Sequence, residues 1–389
     1  MLSEVVVSCL MNERRLRFVA ATAVAAITAL VFVPRPSVAD EGGVSFWLPG
    51  IYGSLAAAPQ QPGWSLATIY YHTSVSAFGN TAAAREATIG RFSPTVNVDL
   101  NVKVRANLDL VLVNPSYVFA APVLGGQLAV GMMGIVGHNN SSLDGTITGG
   151  VGPFSATQPG SFDSSLTGFG DLYPQASLRW NQGVHNFMTY VTGDIPVGAY
   201  DSRRLANLSI GHGAIDGGAG YTYFNPQTGH EFSAVGGFTY NFKNTDTQYR
   251  NGVDFHLDGA FSQFLSKQLF VGVVGYTYQQ VTADSGALPV LEPFKSRVSA
   301  IGPQIGYLFP VGNMQGYLNL KGYKEFDASN RPDGWDVWLS AETMPAGSLI
   351  IANIPLPPAV YRELRSQAAD VNQSPAQFMA AILAKAAGR

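Results

Sequence analysis

Residues 96–112 read V-N-V-D-L-N-V-K-V-R-A-N-L-D-L-V-L, and this stretch decides the fold class. Val96, Val98, Leu100, Val102, Val104, Ala106, Leu108, Leu110 and Leu112 hold the even positions. Asn97, Asp99, Asn101, Lys103, Arg105, Asn107 and Asp109 hold the odd ones, and only Val111 breaks the alternation. Strand side chains alternate between faces, so a strand here has one oily face and one charged face. A helix would scatter the same charges around its circumference. At about 3.3 Å per residue the stretch spans roughly 56 Å, longer than strands of globular proteins. Transmembrane β-barrels have strands of this kind, apolar toward lipid and polar toward the lumen. Asp99, Lys103, Arg105 and Asp109 are therefore expected in the lumen, because Arg or Lys on the lipid face costs about 2–4 kcal/mol at mid-bilayer. There they would form either a charged constriction or cross-strand ion pairs.

Outward from this stretch the alternation recurs between tight turns. The turns are Ala121–Gly126, Asn181–Gly183, Asn225–His230, Leu265–Gln268 and Pro310–Met314. Short Gly, Pro and Asn loops between alternating runs are hairpin signals. Polar stretches at Gly137–Gly170, Gly193–Gly213, Lys243–Gly252 and Thr282–Lys295 read as long loops. Short turns on one side and long loops on the other is the outer-membrane asymmetry. Ten strands from five hairpins, closed by Trp64–Ser76 and Gly334–Leu339, predict an all-β, transmembrane antiparallel barrel of about twelve strands over residues 64–340. A large secreted sandwich is the soluble competitor, but charged residues are only 13% and aromatics 11%. The net charge of −3 gives the barrel no case for a nucleic-acid partner.

The two ends differ from the body. Arg14, Arg15 and Arg17 precede an apolar run, Phe18–Val33, and Ser37-Val38-Ala39 offers a small-residue cleavage site. Residues 1–39 are expected to be a cleaved signal peptide rather than an anchor, with Met11 as an alternative start. Cys9, the one cysteine, falls in this segment, so no disulfide is expected in the mature chain. Residues 40–63, rich in Gly, Pro and Ala, read as a periplasmic lead-in that gates the pore. Residues 341–389 predict a short α-helical appendage, with Ser374 as N-cap, Pro375 at the first helical position and an apolar stripe through Phe378, Met379, Ile382 and Leu383. Its outline resembles a ribbon-helix-helix domain, a dimeric DNA-binding fold. A helical hairpin extension is the other reading.

Polar side chains on the strands supply the site candidates. Asp254, His256 and Asp258 share one strand face, as metal or acid–base groups or as plain lumen wall. Tyr173 and Arg179 lie opposite Leu172 and Leu178, and Lys321 and Tyr323 lie opposite Leu318 and Leu320. Tyr223 is a further aromatic candidate for weak solute binding. Gly211–Gly220 superficially resembles a phosphate loop but lacks the Lys-Ser/Thr, and reads as a flexible loop. No nucleophile motif stands out, and no cofactor, metal or catalytic residue is expected.

Several segments resemble one family. They are S-F-W-L-P-G at 45–50, F-G-D-L-Y-P-Q-A at 169–176, G-A-G-Y-T-Y-F-N-P-Q-T-G-H-E-F-S-A at 218–234, F-L-S-K-Q-L-F-V-G at 264–272 and G-P-Q-I-G-Y-L-F-P at 302–310. These resemble the outer-membrane channels described as involved in the meta-pathway of phenol degradation. The resemblance covers roughly residues 40–340. It implies passive uptake of small hydrophobic or aromatic compounds, with outer-membrane lipid and the barrel-assembly machinery as partners. A closed barrel with a structural or adhesive role is the alternative.

Overall fold

The computed structural model describes residues 45–78, 97–151, 154–286 and 295–346. The signal peptide and the helical tail beyond residue 346 lie outside them. The strands are β1 (Gly63–Phe78), β2 (Asn97–Val118), β3 (Gln127–Val151), β4 (Phe154–Gln182), β5 (His185–Asp194), β6 (Ala214–Phe224) and β7 (His230–Asn241). They continue with β8 (Tyr249–Arg250), β9 (Asp254–Phe264), β10 (Leu269–Gln280), β11 (Ser285–Gly286), β12 (Arg297–Val311), β13 (Met314–Ser329) and β14 (Asp333–Pro345). Twelve close into an antiparallel barrel, and β8 and β11 form a separate two-stranded ladder. β1 pairs with β14 to close it, Tyr71 opposite Trp338 and Leu66 opposite Thr343. Closure removes the free edges that an open sheet would present to lipid.

The short turns form where the backbone is allowed to reverse. Gln182 pairs with His185, leaving only Gly183 and Val184 between β4 and β5. Gly183 has φ +71°, a left-handed conformation that favours glycine. An epitope inserted at Gly183 should be hidden in intact cells and one at Asp246, in an exposed long-loop turn, should be labelled. Labelling at Gly183 alone would invert the topology.

The outer wall carries the lipid-facing side chains. Phe187, Phe232, Phe238, Phe261, Val273, Ile301, Ile305 and Leu320 are all exposed large apolar residues. Near the short turns, Trp64, Tyr117 and Phe119 make edge-on ring contacts, and Phe187, Tyr221 and Phe232 form a second group. Such rings mark a membrane–water interface.

Three expectations need correction. Gly137–Gly170 is not a loop but the outer halves of β3 and β4, with Asn140 opposite Ser165 and Gly145 opposite Gly160. A strand beyond the bilayer needs no apolar face, so its polar composition hid it. Residues 341–345 belong to β14 rather than to the tail, since Met314 pairs with Pro345. The third correction concerns residues 45–62, which are not outside the barrel. They run along its inside, from Ser45 beside the long-loop residues Tyr200 and Leu205 to Gln60 beside Gln127 of β3. Small residues make this plug narrow: Ala57 and Ala58 are buried. At Gly50, φ +87°, a Cβ would approach the rings of Tyr323 and Tyr276 to about 3 Å.

Candidate functional site

The plug is held by the lumen face of β6 to β13. Its backbone amides and carbonyls are out of water and need partners, which the alternating polar side chains of those strands supply. Glu231 on β7 accepts from Leu55 N (2.9 Å) through Oε1 and from Ser54 Oγ (2.6 Å) through Oε2. Gln304 Nε2 donates to both Ser54 Oγ and Ser262 Oγ. Thr222 Oγ1 accepts from Ala57 N at 3.0 Å. One turn of plug further out, Asp258 accepts from Gly50 N (3.0 Å) and Tyr52 N (3.1 Å), one on each carboxylate oxygen. Lys321 Nζ donates to the carbonyls of Gly50 (2.5 Å), Ile51 (3.1 Å) and Tyr52 (3.3 Å). Tyr323 OH reaches Gly50 O at 3.4 Å. A carboxylate for the N–H groups and an ammonium for the C=O groups together clamp one bend of chain.

Outside this clamp the wall is aromatic. The Trp47 indole stacks on His256, centroids 3.6 Å apart and planes 13° apart. His256 Nε2 lies 2.9 Å from Asp216 Oδ2, which also accepts from Thr239 Oγ1 at 2.6 Å. Tyr190 OH is 3.4 Å from the same ring nitrogen. Phe46 stacks on Tyr173. Asp254, next inward-facing on β9, accepts from Asn241 Nδ2.

Asp254, His256, Asp258, Lys321, Tyr323, Tyr173 and Arg179 thus all point inward, the first six buried. Arg179 Nη1 donates to Gln60 Oε1 (3.1 Å) and Ser177 Oγ (2.6 Å). Among the described residues no group of His, Asp or Glu has the arrangement of a metal site.

Four candidates do not line the lumen. On β2 the even positions face inward: Val104, Leu110 and Leu112 are buried. Arg105 points outward and pairs with Asp144 at 2.5 Å. Asp109 accepts from Tyr70 OH on the outer surface and lies 2.7 Å from His72 Nδ1. Lys103 sits over the exposed Phe78 ring. Of Asp99 only its register is described, opposite Thr148. Val111 is where the outer face changes. From there Val111, Val113, Pro115, Tyr117 and Phe119 look out, while Asn114 and Ser116 look in and line a cavity. The charged odd positions lie past that apolar band, where no lipid penalises them. Tyr223 also faces outward, opposite Phe232 in register and with its ring tilted against that of His185.

Sequence reasoning missed Asp216 and the plug. Asp216 sits in the segment read as a glycine loop, yet β6 starts at Ala214. The glycines there make room: a Cβ at Gly218 or Gly237 would lie 2.7 or 2.3 Å from Tyr190 OH.

Toward β14 and β1 to β5 the plug leaves space. An outer cavity of about 160 Å³ lies under the long loops, against Tyr71, Leu108 and Trp47. A throat of about 40 Å³ follows, between Trp47, Leu48, Tyr52, Met133 and Tyr173. An inner cavity of about 260 Å³ opens below, and shares Ile51, Tyr52, Met133 and Gln175 with the throat.

The family described as "Putative MetA-pathway of phenol degradation" matches residues 82–341. The chain belongs to that family. Among solved structures, the COG4313 outer membrane channel from Pseudomonas putida F1 is similar at 13% identity and a TM-score of 0.50, covering 76% of this chain and 98% of that one. A Pseudomonas aeruginosa FadL homologue is less similar, at 8% identity and a TM-score of 0.38, covering 80% and 97%. A comparison with curated proteins found no match. The first likeness is one of fold: this chain is a closed barrel like that outer-membrane channel. With its apolar outer band and aromatic ring groups, the protein is a barrel of the bacterial outer membrane, its outer wall in lipid.

Proposed function

We propose that this barrel passes small hydrophobic or aromatic molecules inward by passive diffusion. The observation that carries this is the row of three cavities along one side of the plug. Their shared residues, Trp47 and Leu48 above and Ile51, Tyr52 and Met133 below, are apolar or aromatic, with Gln175 the one polar exception. A solute would move from one aromatic contact to the next along the β1 to β5 wall, while the opposite wall holds the plug. The family's description links it to phenol degradation, which fits aromatic solutes. Lumen-lining Asp254, His256 and Asp258 act here as wall and plug anchor rather than as catalytic groups.

The narrow throat favours one rival reading, a closed barrel with a structural or adhesive role. Purified full-length protein in planar bilayers separates the two. The channel reading expects a small steady conductance above the lipid background. Silence, both for this chain and for a variant with a loosened plug, would establish the closed barrel.

A further inference from the structure

We propose that the inner cavity is a binding chamber for a single-ring aromatic carboxylate, gripped by Arg179. The inference rests on the channel reading and names the solute class of its innermost station.

Arg179 enters the chamber from β4 near the short-turn end. Both of its hydrogen bonds leave from Nη1 and go to neutral acceptors, Gln60 Oε1 and Ser177 Oγ. Its Nε is out of water with no partner. It forms no ion pair among the described residues. The Nε–Nη2 edge of a guanidinium is a planar fork that matches the two oxygens of a carboxylate. Here Nε is covered, so Nη2 is the nitrogen that no hydrogen bond uses among the described residues, and the charge of Glu342, in the same chamber, reaches the guanidinium without forming an ion pair with it. The other cation of the chamber, Lys321, is already engaged by three plug carbonyls.

The rest of the chamber suits a ring. Ile69, Met133, Leu308 and Met344 line it, and Tyr190 offers an aromatic face. Glu342 on β14 also lines it and its charge acts on Arg179, so an anionic head has to sit against the guanidinium and clear of that carboxylate. A volume of about 260 Å³ falls just under the roughly 300–1,000 Å³ of ordinary small-molecule sites, which favours one ring over a long acyl chain. An inorganic anion would satisfy the guanidinium but leave the apolar wall unfilled.

Equilibrium dialysis of the full-length barrel in detergent tests this with benzoate, benzyl alcohol and acetate. Benzoate should bind more tightly than either, since one lacks the charge and the other the ring. R179Q should weaken benzoate about ten- to hundredfold, the worth of charge-assisted hydrogen bonds, and leave benzyl alcohol unchanged. R179K should retain part of the affinity. Retention of the heat-modifiable folded form on gels shows that each variant is folded. Acetate binding as well as benzoate, or benzoate indifferent to R179Q, would overturn the proposal. Channel conductance is measured separately: a conducting barrel without Arg179-dependent benzoate binding sinks the chamber and spares the channel. A silent barrel sinks the channel reading itself.

Discussion

D258N raises the conductance of the barrel several-fold in planar bilayers. In the native protein both Asp258 oxygens accept plug amides, from Gly50 and Tyr52. An asparagine side chain has the same shape but offers one acceptor and turns an NH₂ donor toward the other N–H. Hydrogen bonds to a charged group contribute about 1.5–3 kcal/mol each. Losing about 3 kcal/mol shifts a seated-to-unseated plug equilibrium roughly hundredfold. Lys321, whose ammonium grips the same bend, also loses the neighbouring negative charge. E231Q weakens the plug closer to the short turns, where Leu55 N and Ser54 Oγ are held. The double variant should conduct more than either alone. If currents stay at the native level in both single variants and the double, these carboxylates do not control the pore.

V113R abolishes most assembly of the barrel, whereas N107R is tolerated. Both positions lie on the outer face of β2, three pairs apart on that face. Val113 is 40% exposed within the apolar band, between Val111 and the interface ring of Tyr117. A cation there costs about 2–4 kcal/mol if it sits near mid-bilayer. Asn107 lies past the band, between the outward-facing Arg105 and Asp109. The fraction of heat-modifiable protein in outer-membrane preparations measures the difference. Equal yields of the two variants would mean that the bilayer does not begin at Val111.

Period-two alternation made the strands legible, but not the side that each face meets. Asn97–Leu112 is a strand, as its alternation predicts, but the charges at Arg105 and Asp109 face outward rather than into the lumen. The same charged face is permitted by a watery lumen or by water beyond the bilayer. Only the position of the apolar band along the strand separates them, and the break at Val111 is where that information lies. Where a strand stays within the band, as on β7, the reading held: Phe232, Phe238 and Tyr240 look out, and Glu231, Ser233 and Thr239 are buried. The plug was illegible for another reason. Its Gly, Pro and Ala composition is that of a linker, and Ser54 and Gly50 meet their carboxylates 177 and 208 positions away. No local pattern records such pairings. Asp258 and Lys321 were recognisable as inward-facing, but not as two halves of a clamp.

The plug leads directly into β1, and β1 is one side of the seam with β14. The first and last strands therefore meet around a cord that one of them is tied to. Once the hoop is shut, the throat beside the cord measures only about 40 Å³. Nothing as large as a folded domain passes through such an opening afterwards. A fluorescent protein fused just ahead of Ser45 would have to be carried to the cell exterior before the hoop closed, or else hold the cord outside. A reporter on the amino end of this chain would thus record the order of assembly, in which threading comes before closure.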